Sequence, residues 1–322
     1  MIFQIKTSVS GCFLLRAPIK TIYRGRYLVE LFIEDSQYKI SISKVLGEKD
    51  QLNPKLRGNL EEMAVVLPPE ESYIDMINIF QIIESIGGYH YGISKIFYQE
   101  ELEFQWRQGF SLDNIGKRLF GGSKTIAKEK SHFLSEKNLS SILFLHKLVP
   151  EAEIPYSFYR EGSNYFQSQN YVSAYIHFFM VLEFLYAKGK FKQIEQINEF
   201  LKSEELILGI FSTVDMLLEQ SSPIVEWLKN ECHQRSIQYN LKGIIDLLVK
   251  FRGLLSHASP RSKPYFANPI MLRPLVIFIH SLCMSVCGYL QVYCMSNKSS
   301  KEQRINTRIE DLKNKLKGQF SI

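Results

Sequence analysis

The segment Leu241-Lys-Gly-Ile-Ile-Asp-Leu-Leu-Val-Lys-Phe-Arg-Gly-Leu-Leu-Ser-His257 has the clearest helical periodicity in this chain. Its apolar residues recur at intervals of three and four over Leu241–Ser256, which predicts an amphipathic helix with one buried stripe. The stripe consists of Leu241, Ile244, Leu248, Phe251 and Leu255. At about 100° per residue, Arg252 falls about 40° from Leu248, inside the stripe. A guanidinium stays protonated, so we expect Arg252 to pair with an acid or to bind an anion.

A second amphipathic helix, predicted over Ser163–Lys188, carries a charge of the opposite sign in its apolar stripe. That stripe consists of Val172, Tyr175, Phe179, Leu182 and Tyr186, and Glu183 lies about 40° from Phe179. We therefore expect an ion pair between Glu183 and Arg252. A purely structural role is the alternative interpretation, because a buried ion pair can also fix the register of two helices.

Helical patterns continue through the rest of the C-terminal half. They cover Phe191–Lys202, Glu204–Glu219, Ile224–His233 and Pro274–Met295. The last segment is apolar and long enough to cross a bilayer. Its internal polar residues and two basic flanks favour a buried core helix, with a membrane-associated effector as the alternative. The basic C-terminal tail is predicted to form a solvated amphipathic helix.

The first third of the chain has strand patterns. Tyr27–Ile33 and Tyr38–Ser43 predict a hairpin that turns at Asp35-Ser36-Gln37, and Ala64–Leu67 and Tyr98–Trp106 predict further strands. A helix is expected over Tyr73–Ile86, ending at Gly87-Gly88. The fold class is therefore α+β. We expect a β-rich sensor or regulatory domain over residues 1–110, a basic linker over 111–150, and a helical domain over 151–322.

Composition excludes several classes of protein. The 322 residues are 45% hydrophobic and 22% charged, which excludes a largely disordered or collagenous chain. The net charge of +6 permits a nucleic-acid partner. The five Cys form no C-x-x-C motif, so we expect neither a disulfide framework nor a metal site, and a cytoplasmic location. No cofactor is expected, since Gly116–Thr125 lacks the spacing of a phosphate-binding loop.

His257 adds chemistry to the helix that carries Arg252. Histidine titrates near neutral pH, so an imidazole can take a proton from a ribose 2′-hydroxyl or give one to a leaving 5′-oxygen. Arginine binds phosphate and stabilises developing negative charge. His257 lies about 140° from Arg252 on an ideal helix. The two side chains can converge where the helix ends, as Ser259-Pro260 predicts, or across a two-fold dimer.

The pattern Arg252-x4-His257, together with the helix Tyr175–Tyr186 that carries Glu183, resembles HEPN domains. The resemblance covers roughly residues 155–296 and is closest to the ApeA-like group of bacterial anti-phage defence. It implies a homodimeric, metal-independent endoribonuclease that leaves a 2′,3′-cyclic phosphate. Arg252 would then hold phosphate, His257 would be the acid and base, and Glu183 would orient Arg252. The implied partners are RNA, a second copy of the chain, and a phage-derived or cognate regulatory protein, without stable membrane insertion.

The sequence departs from the family pattern at Gly253, where Asn, Asp or His is common. A glycine removes a polar side chain beside Arg252. The alternative function is therefore a non-catalytic HEPN-like module that binds RNA or protein.

Overall fold

A computed structural model describes residues 2–45, 70–107, 132–149, 152–256, 263–294 and 298–317. The chain divides into two compact units, Met1–Lys147 and Leu148–Ile322. The first is built on a β-sheet and the second on helices, so the α+β fold class is confirmed.

The first unit contains an antiparallel half-barrel sheet. The strands of this unit are β1 (Ile2–Gly11), β2 (Phe13–Leu14), β3 (Ile19–Tyr23), β4 (Tyr27–Glu34), β5 (Gln37–Val45), β6 (Ile93–Ile96), β7 (Glu103–Arg107) and β8 (His132–Phe133). The strand order in the sheet is β3-β4-β5-β1-β6, and β7 also pairs with β1. Strand β7 pairs with the first half of β1, and β6 pairs with its last residues. The two-residue strands β2 and β8 pair in parallel.

The predicted hairpin is confirmed as β4 and β5. Asp35 and Ser36 connect the strands with positive φ values of 50° and 63°, as a tight two-residue hairpin turn requires. The predicted strand over Tyr98–Trp106 is shorter, because β7 begins at Glu103. The predicted strand Ala64–Leu67 lies outside the described residues.

The first helix, α1 (Glu70–Tyr91), continues through the glycine pair at which the sequence predicted its end. Close packing favours a residue without a side chain at Gly87, because a Cβ at this position would lie 2.6 Å from the Cδ1 atom of Ile93. The chain leaves the helix at Gly92, whose φ of 73° favours glycine.

Part of the predicted linker over residues 111–150 is a regular element of the first unit. Helix α2 (Glu136–Leu148) buries Leu139, Ile142 and Leu143. The basic stretch Gly116–Lys130 lies outside the described residues, so its assignment to the linker stays a prediction.

The second unit contains the remaining helices. These are α3 (Glu153–Gln167), α4 (Tyr171–Tyr186), α5 (Gln193–Leu201), α6 (Glu204–Glu219), α7 (Pro223–Gln234), α8 (Leu241–Ser256), α9 (Lys263–Ala267), α10 (Arg273–Cys294) and α11 (Lys298–Leu316). A 3-10 turn, Pro269–Leu272, precedes α10. The prediction of a single helix over Ser163–Lys188 is wrong, because the chain turns between α3 and α4 at Gln169, which has a φ of 60°. Asn170 then caps α4 by accepting a hydrogen bond from the backbone N–H of Ser173.

Helix α10 lies against α3, α4, α6 and α7 and supplies much of the core of this unit. Leu275, Phe278, Leu282 and Val286 are fully buried, as the core-helix prediction requires. Among the described residues, one stretch, Pro269–Leu290, is also long and apolar enough to cross a membrane.

The predicted amphipathic helix of the C-terminal tail is confirmed as α11, whose apolar face packs on α6 while most of its polar residues are exposed. Ile305, Ile309, Leu312 and Leu316 form its buried face. Lys315 adds ion pairs to Asp215 and Glu219 of α6, at 2.7 and 2.6 Å.

Candidate functional site

Two of the three predicted site residues lie at neighbouring ends of α4 and α8. Glu183 is in the last turn of α4, and Arg252 is near the C-terminal end of α8. The third, His257, directly follows the last residue of α8 and lies outside the described residues. The structure therefore brings Glu183 and Arg252 together and does not test the position of His257.

The predicted ion pair between α4 and α8 is confirmed. The Nη2 atom of Arg252 donates a hydrogen bond to Oε1 of Glu183 at 3.3 Å. The side chains are 29% and 20% exposed, so the guanidinium is not enclosed among aliphatic residues as the stripe predicted. An angular offset of about 40° places Arg252 at the margin of the buried stripe rather than at its centre. A pair at this margin remains accessible to a ligand.

A third polar residue, Gln196 of α5, completes this group and was not found from the sequence. Its Nε2 atom donates to the same Oε1 of Glu183 at 2.6 Å, and the residue is only 1% exposed. Gln196 lies on the buried face of α5, next to Ile197 and one turn before Phe200. An uncharged amide on an apolar face was the available signal, because such a group needs a partner.

Buried aromatic side chains join the three helices beneath the polar group. The Tyr175 hydroxyl donates to the backbone carbonyl of Leu248 at 2.6 Å, linking α4 to α8. The rings of Phe179 and Phe200, 6.0 Å apart, link α4 to α5. Burial raises the pKa of Tyr175 well above its ordinary value, so this phenol remains a neutral donor. Rigid contacts of this kind fix the relative positions of Glu183, Gln196 and Arg252.

A second guanidinium, that of Arg235, lies on the ring of Phe251, 4.4 Å from the ring centroid. It donates to Glu231 and to the Tyr265 hydroxyl, both at 2.7 Å. Tyr265 belongs to α9, so these contacts attach α9 to the end of α7 and to α8. A cation stacked on an aromatic ring and paired on both sides is typical of a structural role.

His280 does not have the properties of a proton-transfer group near neutral pH. Its Nε2 atom lies 2.8 Å from the Tyr159 hydroxyl, and its ring packs against Phe166 and Phe178. Burial lowers the pKa of His280 to about 4, so the ring stays neutral at physiological pH.

The chemistry available at the site is anion binding. Guanidinium groups have five N–H donors, and one donor of Arg252 binds Glu183. Among the described residues, no group of three or more His, Cys, Asp or Glu side chains is arranged to hold a metal ion. Comparisons of the chain with protein-family models, curated proteins and solved structures found no match.

Proposed function

We propose that this protein is a metal-independent endoribonuclease of the HEPN type that acts in anti-phage defence or growth arrest in the cytoplasm. The observation that carries the proposal is the partly exposed guanidinium of Arg252, held by Glu183 on one side. Its other N–H groups have no hydrogen-bond partner among the described residues. Such a group is suited to bidentate binding of an RNA phosphate.

In the proposed reaction, the ribose 2′-oxygen forms a bond to phosphorus while the bond from phosphorus to the 5′-oxygen breaks. His257 accepts the proton of the 2′-hydroxyl, and the leaving 5′-oxygen takes up a proton. One imidazole cannot accept and donate in the same step, so a homodimer with two copies of His257 supplies both roles. The products are a 2′,3′-cyclic phosphate and a 5′-hydroxyl.

Arg252 stabilises the negative charge that develops on the phosphate oxygens. Glu183 and Gln196 are positioning residues in this proposal, because they act through Arg252. Glu183 fixes one edge of the guanidinium, which leaves the remaining donors for the substrate.

The test is cleavage of single-stranded RNA in EDTA, with mass spectrometry of the product ends. We expect His257→Ala and Arg252→Ala to lower the rate by at least about 100-fold. Glu183→Gln is expected to lower it about tenfold, since one charge-assisted hydrogen bond weakens. His233→Ala, an exposed histidine on α7, is the matched control and is expected to keep full activity. Equal cleavage by the native protein and His257→Ala would contradict the proposal, as would products without a cyclic phosphate.

Gly253 favours a second candidate function, a non-catalytic module that binds RNA or protein. The glycine provides no polar side chain beside Arg252. For this candidate, the native protein binds RNA and does not cleave it. Arg252→Ala is then expected to weaken RNA binding, and the RNA is recovered intact from both proteins.

A further inference from the structure

The connection between α4 and α5 is a short basic loop with an exposed aromatic ring. It consists of Ala187-Lys188-Gly189-Lys190-Phe191-Lys192, and every residue from Lys188 to Lys192 is exposed. Phe191 is 75% exposed, and so is Ile194 in the first turn of α5. Exposed side chains of this size make little contribution to the core, so they are available to contact a partner.

The loop carries more positive charge than its neighbours neutralise. Lys188 is 3.3 Å from Glu199, a carboxylate that also binds Lys202 at 2.7 Å. Lys190 and Lys192 have no carboxylate partner among the described residues. The nearby Asp246 of α8 is bound to Lys250 at 2.8 Å. The two free ammonium groups therefore flank Phe191 in an environment that favours an anionic ligand.

The backbone holds this loop in a defined turn. Lys188 and Gly189 have positive φ values of 49° and 72°, and the N–H of Lys190 donates to the carbonyl of Ala187 at 2.9 Å. This is a tight turn that a lysine adopts at an energetic cost. Phe191 follows this turn and lies outside the core.

The loop also lies beside the candidate site. Glu183 is one helical turn before the loop, and Gln196 is one turn after it. The hydrogen bond between these two residues therefore holds the two ends of the loop together. The four residues from Glu183 to Ala187 correspond to a rise of about 6 Å, which places the loop close to the Glu183–Arg252 pair. A ligand bound at Arg252 can therefore extend over the loop.

We propose that the loop Ala187–Lys192 binds single-stranded RNA, with Phe191 stacked on a base and Lys190 and Lys192 in contact with the adjacent phosphates. This inference rests on the proposed function and names where the substrate is held beside the cleavage site. Lysines that alternate with an aromatic residue favour a single strand, because bases and phosphates also alternate along it.

The test uses the full-length protein and a fluorescein-labelled oligonucleotide of about 12 nucleotides. The probe is 2′-O-methyl RNA, which lacks the attacking 2′-hydroxyl and stays intact, so binding is measured separately from cleavage. We expect Phe191→Ala to raise Kd about tenfold and Phe191→Tyr to restore binding, since a phenol ring also stacks on a base. The aromatic control is Phe144→Ala, a 56% exposed phenylalanine in α2, for which Kd is expected to stay unchanged.

The salt dependence of RNA binding tests the contribution of the lysines in the loop separately from that of Phe191. The double variant Lys190→Ala/Lys192→Ala is expected to make the negative slope of log K against log salt shallower by about 1.4, because each phosphate contact on a single strand contributes about −0.7 to it. The control is the double variant Lys229→Ala/Lys313→Ala, which removes the same charge from α7 and α11 and should keep the slope.

Each outcome of these measurements decides the proposal. Unchanged RNA affinity in Phe191→Ala overturns it, as does no RNA binding by the native protein. Loss of sedimentation with anionic phosphatidylglycerol vesicles in Phe191→Ala, with RNA affinity unchanged, overturns it in favour of a membrane surface. Weakened RNA binding in a protein that does not cleave RNA supports the loop assignment while the ribonuclease proposal fails.

Discussion

Gln196 donates a 2.6 Å hydrogen bond to Oε1 of Glu183, the same oxygen that accepts from Arg252 at 3.3 Å. The donor is almost completely buried, whereas the guanidinium is partly exposed. The carboxylate is therefore held from the core side and presents Arg252 to the surface. Three helices meet at a single oxygen atom, so a change in any one of them alters the position of the guanidinium.

The first prediction concerns the coupling between Glu183 and Arg252. A double-mutant cycle of Glu183→Ala and Arg252→Ala, measured by urea unfolding, should give a coupling free energy of about 0.5–1 kcal/mol. Both side chains are partly solvated, so water weakens their attraction. Additive effects of the two substitutions would show that the pair does not stabilise the folded state.

Gln196→Leu should destabilise the second unit by about 1–3 kcal/mol. The substitution keeps most of the side-chain volume and removes a buried donor to a carboxylate. Gln193→Leu on the same helix is the matched control, because Gln193 is exposed and its contact with Asp246 is 3.4 Å long. We expect this control to change the free energy of unfolding by less than about 0.5 kcal/mol. Equal effects of the two substitutions would argue against the role assigned to Gln196.

Two glycines of α8 are expected to respond in opposite directions to alanine. A Cβ at Gly253 would meet no atom of the described residues within 4 Å, so Gly253→Ala should stabilise the helix by about 0.5–1 kcal/mol. A Cβ at Gly243 would lie 1.8 Å from the backbone oxygen of Gln238, so Gly243→Ala should destabilise it. Thermal unfolding of both variants tests this, and a loss of stability in Gly253→Ala would contradict it.

The open space at Gly253 also bears on the proposed function. Gly253→Asn places its Cβ clear of the described atoms, and it introduces the polar residue that is common after the arginine in the HEPN domains this segment resembles. If the protein is a ribonuclease whose activity is limited by this glycine, the variant should cleave RNA faster in EDTA than the native chain. Unchanged cleavage would show that the residue at 253 does not limit the rate.

The sequence predicted the helices best where apolar spacing and end signals agree. Both bounds of α6 and α8 match the predicted segments, because their apolar stripes are long and uninterrupted. The break between α3 and α4 was missed because no proline or glycine marks it. The signal was the polar run Ser168-Gln169-Asn170, in which Asn170 acts as a cap.

The central strand β1 was missed for a different reason. Lys6 lies in its middle and is buried, so the strand does not alternate between apolar and polar residues. Lys6 is instead paired with Glu34 at 2.6 Å and with Glu103 at 2.8 Å. These partners are distant in sequence, and the pairing that permits a buried lysine follows only from the folded sheet.

For the candidate site, the sequence identified the two charges and their contact but not the amide. Opposite charges on two apolar stripes predict an ion pair, since a charge on a buried face needs a partner. Gln196 is neutral, and its role depends on where α5 packs against α4 and α8. That packing follows from the tertiary fold and cannot be read from the short amphipathic pattern of α5 alone.

The last prediction uses the buried imidazole of His280. Its pKa is lowered to about 4 in the folded protein, against an ordinary value of 6.5, so the unfolded chain binds more protons between these values. The contribution to stability is therefore complete above about pH 6.5 and is lost as the pH falls toward 4, amounting to about 3 kcal/mol. Trp227 fluorescence in a Trp106→Phe background reports urea unfolding of the second unit.

His280→Phe isolates this effect from that of other groups, including His90, whose pKa burial also lowers to about 4. The variant loses the contact with the Tyr159 hydroxyl, which lowers its stability by an amount that does not depend on pH in this range. The stability difference between the native protein and the variant should therefore shrink from pH 7 to pH 4.5, because only the native protein has a buried imidazole at 280 that resists protonation. Parallel pH curves for the two proteins would show that His280 takes up its proton as readily in the folded state as in the unfolded chain.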